Sequence, residues 1–374
     1  MVIGIDASRA NNQKKTGVEW YAFHIIQGLK KTIDNDVSVV LYSREPLVGP
    51  LARLPKNWSS KVLEWKPRFL WTHLRLGFEL VRNCPDVLFV PAHVPPLFCP
   101  KNTITMIHDV AARDFPESYS WFQRWYTLWS ARHALSRLSA VIVPSVFTKK
   151  KLLDMVGPKH AARLVVIPHG YDQSFLPHKT KDAEVRVRKK YQIKERYVLC
   201  VGRQETKKNT VRLVQAFNRV KRLHEGNPII TKLHLVLVGS SGFGYAHVTR
   251  AIAGSRYKDD IHSLGWVPQE DLAVLMRAAH VFALPSLSEG FGMPVLEAFA
   301  AETVPVVSRG SSFEEVGGLG ALYVDPLDIG SIANVLYKAV VDEKARIQCK
   351  ELGKQRLAEY SWQRAAESTA KLLT

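Results

Sequence analysis

Two carboxylates with seven residues between them bracket a glycine-bearing turn, in Glu289-Gly290-Phe291-Gly292-Met293-Pro294-Val295-Leu296-Glu297-Ala298. An apolar run at 280–285 precedes them, so the stretch reads as a strand end, a turn and the first turn of a helix. Gly290 and Gly292 let the backbone turn and come close to a ligand. Pro294 suits the first helical position, where its missing N–H is no loss, and residues 295–301 continue the helix. Such a junction presents backbone N–H groups, at the positive end of the helix dipole, to an anion such as phosphate. Glu289 before the turn and Glu297 in the first helical turn have no use for a phosphate. Each can accept hydrogen bonds from neutral hydroxyls, so a sugar or a ribose suits them. On these residues alone the simpler alternative stands beside this one: Glu297 complements the helix dipole and Glu289 is a solvated loop residue.

A second cluster is cationic. Val201-Gly202-Arg203-Gln204-Glu205-Thr206-Lys207-Lys208-Asn209 follows an expected strand at 197–202 and leads into an expected helix at 210–223. Arg203 offers a planar fork and Lys208 a point charge, a combination suited to a diphosphate. The alternative is two exposed basic residues in a basic chain. Gly17 opens a helix at 18–31, where Val18, Tyr21, Ile25, Ile26 and Leu29 recur at helical spacing. His108 ends an expected strand at 102–109 and would point into the crevice where open α/β sheets bind ligands. Read alone, these two are a turn glycine and a satisfied loop histidine. The glycine loop at 239–244 misses the G-x-G-x-x-G spacing, which argues against a dinucleotide.

Strands are expected at 2–6, 37–42, 102–109, 140–145 and 164–170, then at 197–202, 233–238, 261–266, 280–285, 304–308 and 322–324. Repeated strand–helix alternation in both halves argues for two parallel-sheet, Rossmann-like domains. A chain of 374 residues, 46% hydrophobic and 23% charged, is long and apolar enough to fill two cores. The expected organisation is a first domain at 1–177, a polar linker with a short helix at 178–194, a second domain at 195–358 and a final helix at 359–374.

The paired glutamates in E-G-F-G-M-P-V-L-E-A resemble the motif of retaining family-four (group 1) glycosyltransferases. Residues 201–209 are similar to that family's V-G-R…K-N segment. Leu264-Gly265-Trp266-Val267 resembles the segment whose backbone touches the nucleotide base, and residues 108–117 resemble the acceptor-side loop. Val166-Ile167-Pro168-His169-Gly170-Tyr171-Asp172 resembles the end of the family's first domain, with His169 where Asn is usual. Residues 312–318 sit where the family has P-E-V-x-G, and 361–373 resemble its terminal helix. The resemblance covers nearly the whole chain and implies the GT-B fold, two Rossmann-like domains facing a cleft, with the last helix crossing back to the first. It implies that Arg203 and Lys208 neutralise the leaving diphosphate, that Glu289 holds a hydroxyl of the transferred sugar, and that His108 orients that sugar. Gly17, Gly202, Val267, Gly290, Phe291, Gly292 and Glu297 would contact the donor, Glu297 through the ribose. Two departures are Ala300-Ala301-Glu302, in place of a helix-ending glycine, and Leu319, in place of an acid.

The implied activity is retaining transfer of a hexose from a nucleotide-diphosphate sugar to a glycan or lipid-linked acceptor, in cell-surface polysaccharide or glycolipid synthesis. Mannose from a GDP donor comes first and UDP donors follow. The nucleotide sugar is a co-substrate, and neither a cofactor nor a catalytic metal is expected. Asp34-Asn35-Asp36 spells the metal-binding D-x-D of another glycosyltransferase fold, but reads as a solvated turn. The rivals are a phosphorylase or epimerase on the same fold, and a non-catalytic protein that binds a membrane surface.

The net charge of +18 divides as about +10 before residue 178 and about +8 after it. No nucleic-acid-binding signature accompanies it, so nucleic acid is not expected, and an anionic membrane surface is the preferred large partner. Seven of nine tryptophans precede residue 130. Five of these seven lie in two basic, acid-free stretches, 65–76 and 121–132. The first reads equally as an interfacial segment or as core; in the second, Trp121, Trp125 and Trp129 form a helical stripe expected to pack on the sheet. No window approaches eighteen uninterrupted apolar residues and no signal-peptide layout opens the chain. Cys84, Cys99, Cys200 and Cys349 read as reduced core thiols. Together these point to the cytoplasm, peripheral on the inner face of the cell membrane.

Overall fold

The structure is a computed structural model that describes residues 1–66, 70–92, 94–177, 181–193 and 196–374. It divides into two compact units: residues 1–114, 121–170 and 360–374 form the first, and 115–120 with 171–359 the second. Parts of the expected linker, residues 178–180 and 194, and residues 67–69 of the first aromatic stretch lie outside the described residues. The linker's short helix is present at Lys181–Lys190.

In the first unit the described strands are β1 (Val2–Asp6), β2 (Ser38–Ser43), β3 (Trp58–Val62), β4 (Val87–Val90), β5 (Thr103–Met106), β6 (Ala140–Val143) and β7 (Leu164–Val166). They lie in the order β3-β2-β1-β4-β5-β6-β7, and every pairing is parallel. β3 and β4 are absent from the strand pattern expected above. β3 is an edge strand exposed over four of its five residues, so it carries no apolar run. β4 is a four-residue apolar segment stopped by Pro91. β5 ends at Met106, and His108 therefore stands two residues beyond it rather than on it.

In the second unit the strands are β8 (Tyr197–Val201), β9 (His234–Val238), β10 (Ile261–Gly265), β11 (Val281–Leu284), β12 (Pro305–Ser308) and β13 (Leu322–Val324). Their order is β10-β9-β8-β11-β12-β13, again all parallel. β8 and β11 are buried at every residue, as a sheet covered on both faces requires. In each sheet the strand order reverses beside the first strand, between β1 and β4 and between β8 and β11. Open α/β sheets leave a crevice at the carboxyl ends of the strands at such a point.

The terminal helix Trp362–Leu373 belongs to the first unit. Its Ala365, Ala366, Ala370 and Leu373 join the core of Ile25, Ile26 and Leu29 from helix Gly17–Thr32. Gly28 and Gly170 allow the approach: a Cβ at Gly28 would lie 2.5 Å from the Ala366 Cβ, and one at Gly170 2.1 Å from the Trp362 nitrogen.

Two expectations about side chains are corrected. Helix Trp121–Arg137 buries Ser130, Ala131, Ala134 and Leu135, not its tryptophans. The small residues let the helix approach the sheet closely, and Trp121 is left 80% exposed with Trp125 half exposed. In the other aromatic stretch Trp71 is core, its Nε1–H donating to the Leu63 carbonyl at 2.8 Å, while Leu70 and Leu74 face solvent. Of the four thiols only Cys200 and Cys349 are buried; Cys84 is exposed and Cys99 half-buried. Asp34, Asn35 and Asp36 are all exposed.

Candidate active site

The two loops singled out in the second half leave β8 and β11, the strands that flank the reversal. Gly202 follows β8 with φ +152°, and Gly239 after β9 has φ +141°; a Cβ at Gly239 would stand 2.0 Å from the Gly202 oxygen. Both positions therefore require glycine, and the β8 and β9 loops lie in backbone contact. The β8 loop then enters helix Thr210–Leu223 through Asn209, itself left-handed at φ +59° and buried. Its side-chain amide donates to the carbonyls of Pro285 (2.9 Å) and Pro326 (2.7 Å), and Leu287 N–H donates to the Lys207 carbonyl at 2.8 Å. These bonds lock the cationic loop to the glutamate loop.

The lock brings Lys208 and Glu289 together: Nζ lies 2.6 Å from Oε1, and both side chains are largely buried. Burial pushes the Glu289 carboxyl up, but Lys208 and the buried Lys207 outweigh it, and its pKa falls below the ordinary carboxylate value. A buried charge pair of this kind holds because each partner satisfies the other. Arg203 is not part of it; its side chain is mostly exposed, with Nε 3.8 Å from Glu205.

The glycine turn between the glutamates is fastened from behind. The buried Ser312 hydroxyl lies 2.9 Å from the Glu289 carbonyl and 2.8 Å from that of Phe291, and can donate to either. Gly292 caps helix Met293–Ala300 at φ +104°, where a Cβ would meet the buried Phe313 ring at 2.6 Å. Pro294 takes the second helical position, not the first, and Glu297 falls in the second turn rather than the first. The extra residue is Met293, which the left-handed cap at Gly292 brings into the helix. Gly290 and Phe291 are buried in the turn. Glu297 keeps some surface, yet burial pushes its pKa up to about 8, and the nearby Asp172 carboxylate adds to the effect. Val267, 5% exposed, follows β10, whose Gly265 carbonyl accepts from Gly239 N–H at 2.7 Å.

Gly17 and His108 belong to the first unit. Gly17 is the exposed first residue of helix Gly17–Thr32, capped by Thr16, whose backbone N–H donates to Glu19 at 3.0 Å. His108 donates from Nε2 to the Pro91 carbonyl at 3.0 Å, and its ring meets Tyr21 edge-on at 4.9 Å. Among the described residues no group of three or more His, Cys, Asp or Glu side chains could hold a metal ion.

Lys207, Asn209, Asp172, Ser312 and Phe313 shape this site without having been assigned roles above. Lys207 was readable as the neighbour of Lys208. Nothing in the spacing ties Asp172 to Glu297 or Ser312 to the glycine turn, because those contacts are made only by folding.

The chain resembles a sucrose-phosphate synthase from Thermosynechococcus elongatus (TM-score 0.77, 19% identity, 100% of this chain and 98% of that one). It is also similar to Anabaena HepE in complex with UDP and glucose (TM-score 0.74, 15% identity, 99% and 98%). Two parallel Rossmann-like units of this strand order make it a GT-B protein. The family model "Glycosyltransferase Family 4" matches residues 15–175 and "Glycosyl transferases group 1" matches 183–356. O-antigen chain mannosyltransferase B of Escherichia coli is 26% identical over 303 residues, 79% of this chain and 76% of that protein. The chain belongs to the group 1 glycosyltransferases of family four.

Proposed function

We propose that this glycosyltransferase moves mannose, with retention of the anomeric configuration, from a nucleoside-diphosphate sugar to a growing cell-surface glycan or its lipid-linked precursor. The observation that carries the donor side is the buried Lys208–Glu289 pair at the point where the second sheet reverses. Mannose and a glycan acceptor are favoured by the likeness to the O-antigen mannosyltransferase, and a nucleoside diphosphate by the UDP complex of HepE. GDP is the first donor nucleotide in this reading and UDP the second.

In this reading the donor diphosphate draws Lys208 into sharing its charge between Glu289 and the departing oxygens. The exposed Arg203 fork and Lys207 add positive charge as the bond to the anomeric carbon breaks. The acceptor oxygen attacks that carbon from the face the diphosphate leaves, and its proton passes to a diphosphate oxygen. Glu289 accepts from a sugar hydroxyl and Glu297 from the ribose, while His108 and Gly17 keep the roles the resemblance implies. The cations take the part a metal plays elsewhere, so the reaction runs without one.

Thermal stabilisation by GDP, UDP and ADP tests the donor side, since a ligand that binds only the folded chain raises Tm with concentration. A shift with one diphosphate, reduced in Arg203→Ala, is expected, followed by an α-linked product from the matching α-linked mannose donor. No shift with any nucleotide, or a product of inverted configuration, sinks the proposal.

A further inference from the structure

The first unit carries a surface that holds none of the residues assigned to the transfer reaction. Helix Trp121–Arg137 holds three arginines and no carboxylate. Its rings stack along one side: Phe122 on Tyr126 (5.9 Å, 9°), Trp125 on Trp129 (6.0 Å, 13°) and Trp129 on His133 (5.1 Å, 20°). The ladder runs into a cavity of about 430 Å³ formed with helix Val146–Val156 and the turn Pro158–Arg163. Trp129 and Met155 give it apolar walls; Arg132 and Lys159 supply positive charge, His133 and His160 ring nitrogens; no carboxylate lines it. Trp121, about 12 Å from Trp129 along the helix axis, projects into solvent with Phe122 and Trp125. A hydrogen bond between His73 and Tyr126 fastens the neighbouring segment, a wide turn at Trp71–Leu76 running into helix Gly77–Arg82. That segment exposes Leu74, Phe78 and Val81, and its one acid, Glu79, is buried against Lys61 and Arg75.

The chemistry selects the occupant. A neutral saccharide would need carboxylates or amides to accept from its hydroxyls, and the cavity lining has none. A soluble anion would have no use for outward Leu74, Phe78, Val81 and Trp121. Cationic donors in a cavity beside exposed aromatic and aliphatic chains, with no outward acid on either helix, match an anionic lipid surface. We propose that these two helices are a membrane-docking face of the first unit, and that the cavity at Arg132 and Lys159 takes the phosphate of an anionic phospholipid. The indoles of Trp121 and Trp125 lie at headgroup depth, where an aromatic ring with a polar edge is best placed. The inference does not depend on which sugar or nucleotide the enzyme uses.

Flotation of the full chain tests it, with vesicles of phosphatidylcholine alone and of phosphatidylcholine mixed with phosphatidylglycerol. The native chain is expected to float with the anionic vesicles, to be released by salt, and to ignore the neutral ones. Arg132→Ala with Lys159→Ala is expected to weaken binding about fivefold per charge removed. Trp121→Ala with Trp125→Ala is expected to weaken it too, and both pairs should keep the native Tm and its shift with nucleotide. Arg132→Gln with Lys159→Gln serves if the alanine pair does not fold. Absent flotation, or equal flotation with neutral vesicles, overturns the docking face. Flotation unchanged by the Arg132 and Lys159 variants overturns the cavity's part in it. Binding of glycerol 3-phosphate by a chain that ignores vesicles would assign the cavity to a soluble phosphate and overturn the lipid.

Discussion

Lys208 and Glu289 face each other at 2.6 Å in a largely buried setting, so each is the other's counter-charge besides the donor-side role proposed for it. Lys208→Ala leaves a buried carboxylate without its partner and is expected to destabilise the second unit by about 3 kcal/mol or more. Glu289→Gln should lose less, and Lys208→Met with Glu289→Leu should recover most of the loss; denaturant unfolding of all three reads that order. Because the folded carboxyl of Glu289 titrates below its ordinary value, its contribution is present above that value and lost as pH falls through the lowered one. Glu289→Gln should therefore flatten the acid limb of the stability curve. Glu297 behaves oppositely. Raised to about 8, it is mostly protonated at neutral pH, and its favourable share of stability is lost as pH rises toward that value. In the proposed reading ribose hydroxyls donate to Glu297, and they donate best to its ionised form. Nucleoside-diphosphate affinity should therefore strengthen between neutral pH and about pH 9, and a titration of Glu297→Gln should remove that rise.

At the scale of elements, the helix that carries Glu297 ends without the expected glycine. Glu302 takes φ +55° there, its N–H donating to the Phe299 carbonyl at 3.0 Å while Thr303 N–H reaches Ala298 at 2.8 Å. This is a Schellman ending with an L-residue in the left-handed position glycine usually fills. Glu302 is exposed, and Glu302→Gly is expected to raise stability by about 1 kcal/mol, read as a higher denaturant midpoint with nucleotide binding unchanged. At the other end, Gly292 joins a positive φ to contact with Phe313. Gly292→Ala should both lower Tm and weaken nucleotide binding, since the turn must shift to clear the ring.

For the whole molecule, the last helix packs into the first unit although all of the second unit precedes it in the chain. Trp362 stacks on His24 at 5.0 Å and on His169 at 5.7 Å, and the helix completes the core around Ile25 and Leu29. Ending the chain before Ser361 should lower the melting of the first unit. In the proposed reading the nucleotide binds the second unit, so the transition it stabilises should persist. Gly170→Ala is a gentler version: its Cβ would collide with the Trp362 backbone, at a cost of about 1–3 kcal/mol.

The sequence by itself determined the two-sheet α/β class, because the apolar runs of β8, β9, β11 and β12 and the intervening helical periodicity are local properties. It also determined the candidate groups Arg203, Lys208, Glu289 and Glu297, whose types and spacing lie within two short stretches. Edge strand β3 escaped because it carries no apolar run, and β4 because its four apolar residues are too few for periodicity to mark them as a strand. The periodicity of Trp121, Trp125 and Trp129 marked one side of a helix but not the direction it faces. Only the tertiary structure decided that Ser130, Ala131 and Ala134 meet the sheet and the rings meet solvent. In the same way, the pairing of Lys208 with Glu289 and the raised pKa of Glu297 beside Asp172 arise between residues distant in the chain. Burial and a counter-charge exist only once the loops after β8 and β11 are locked together.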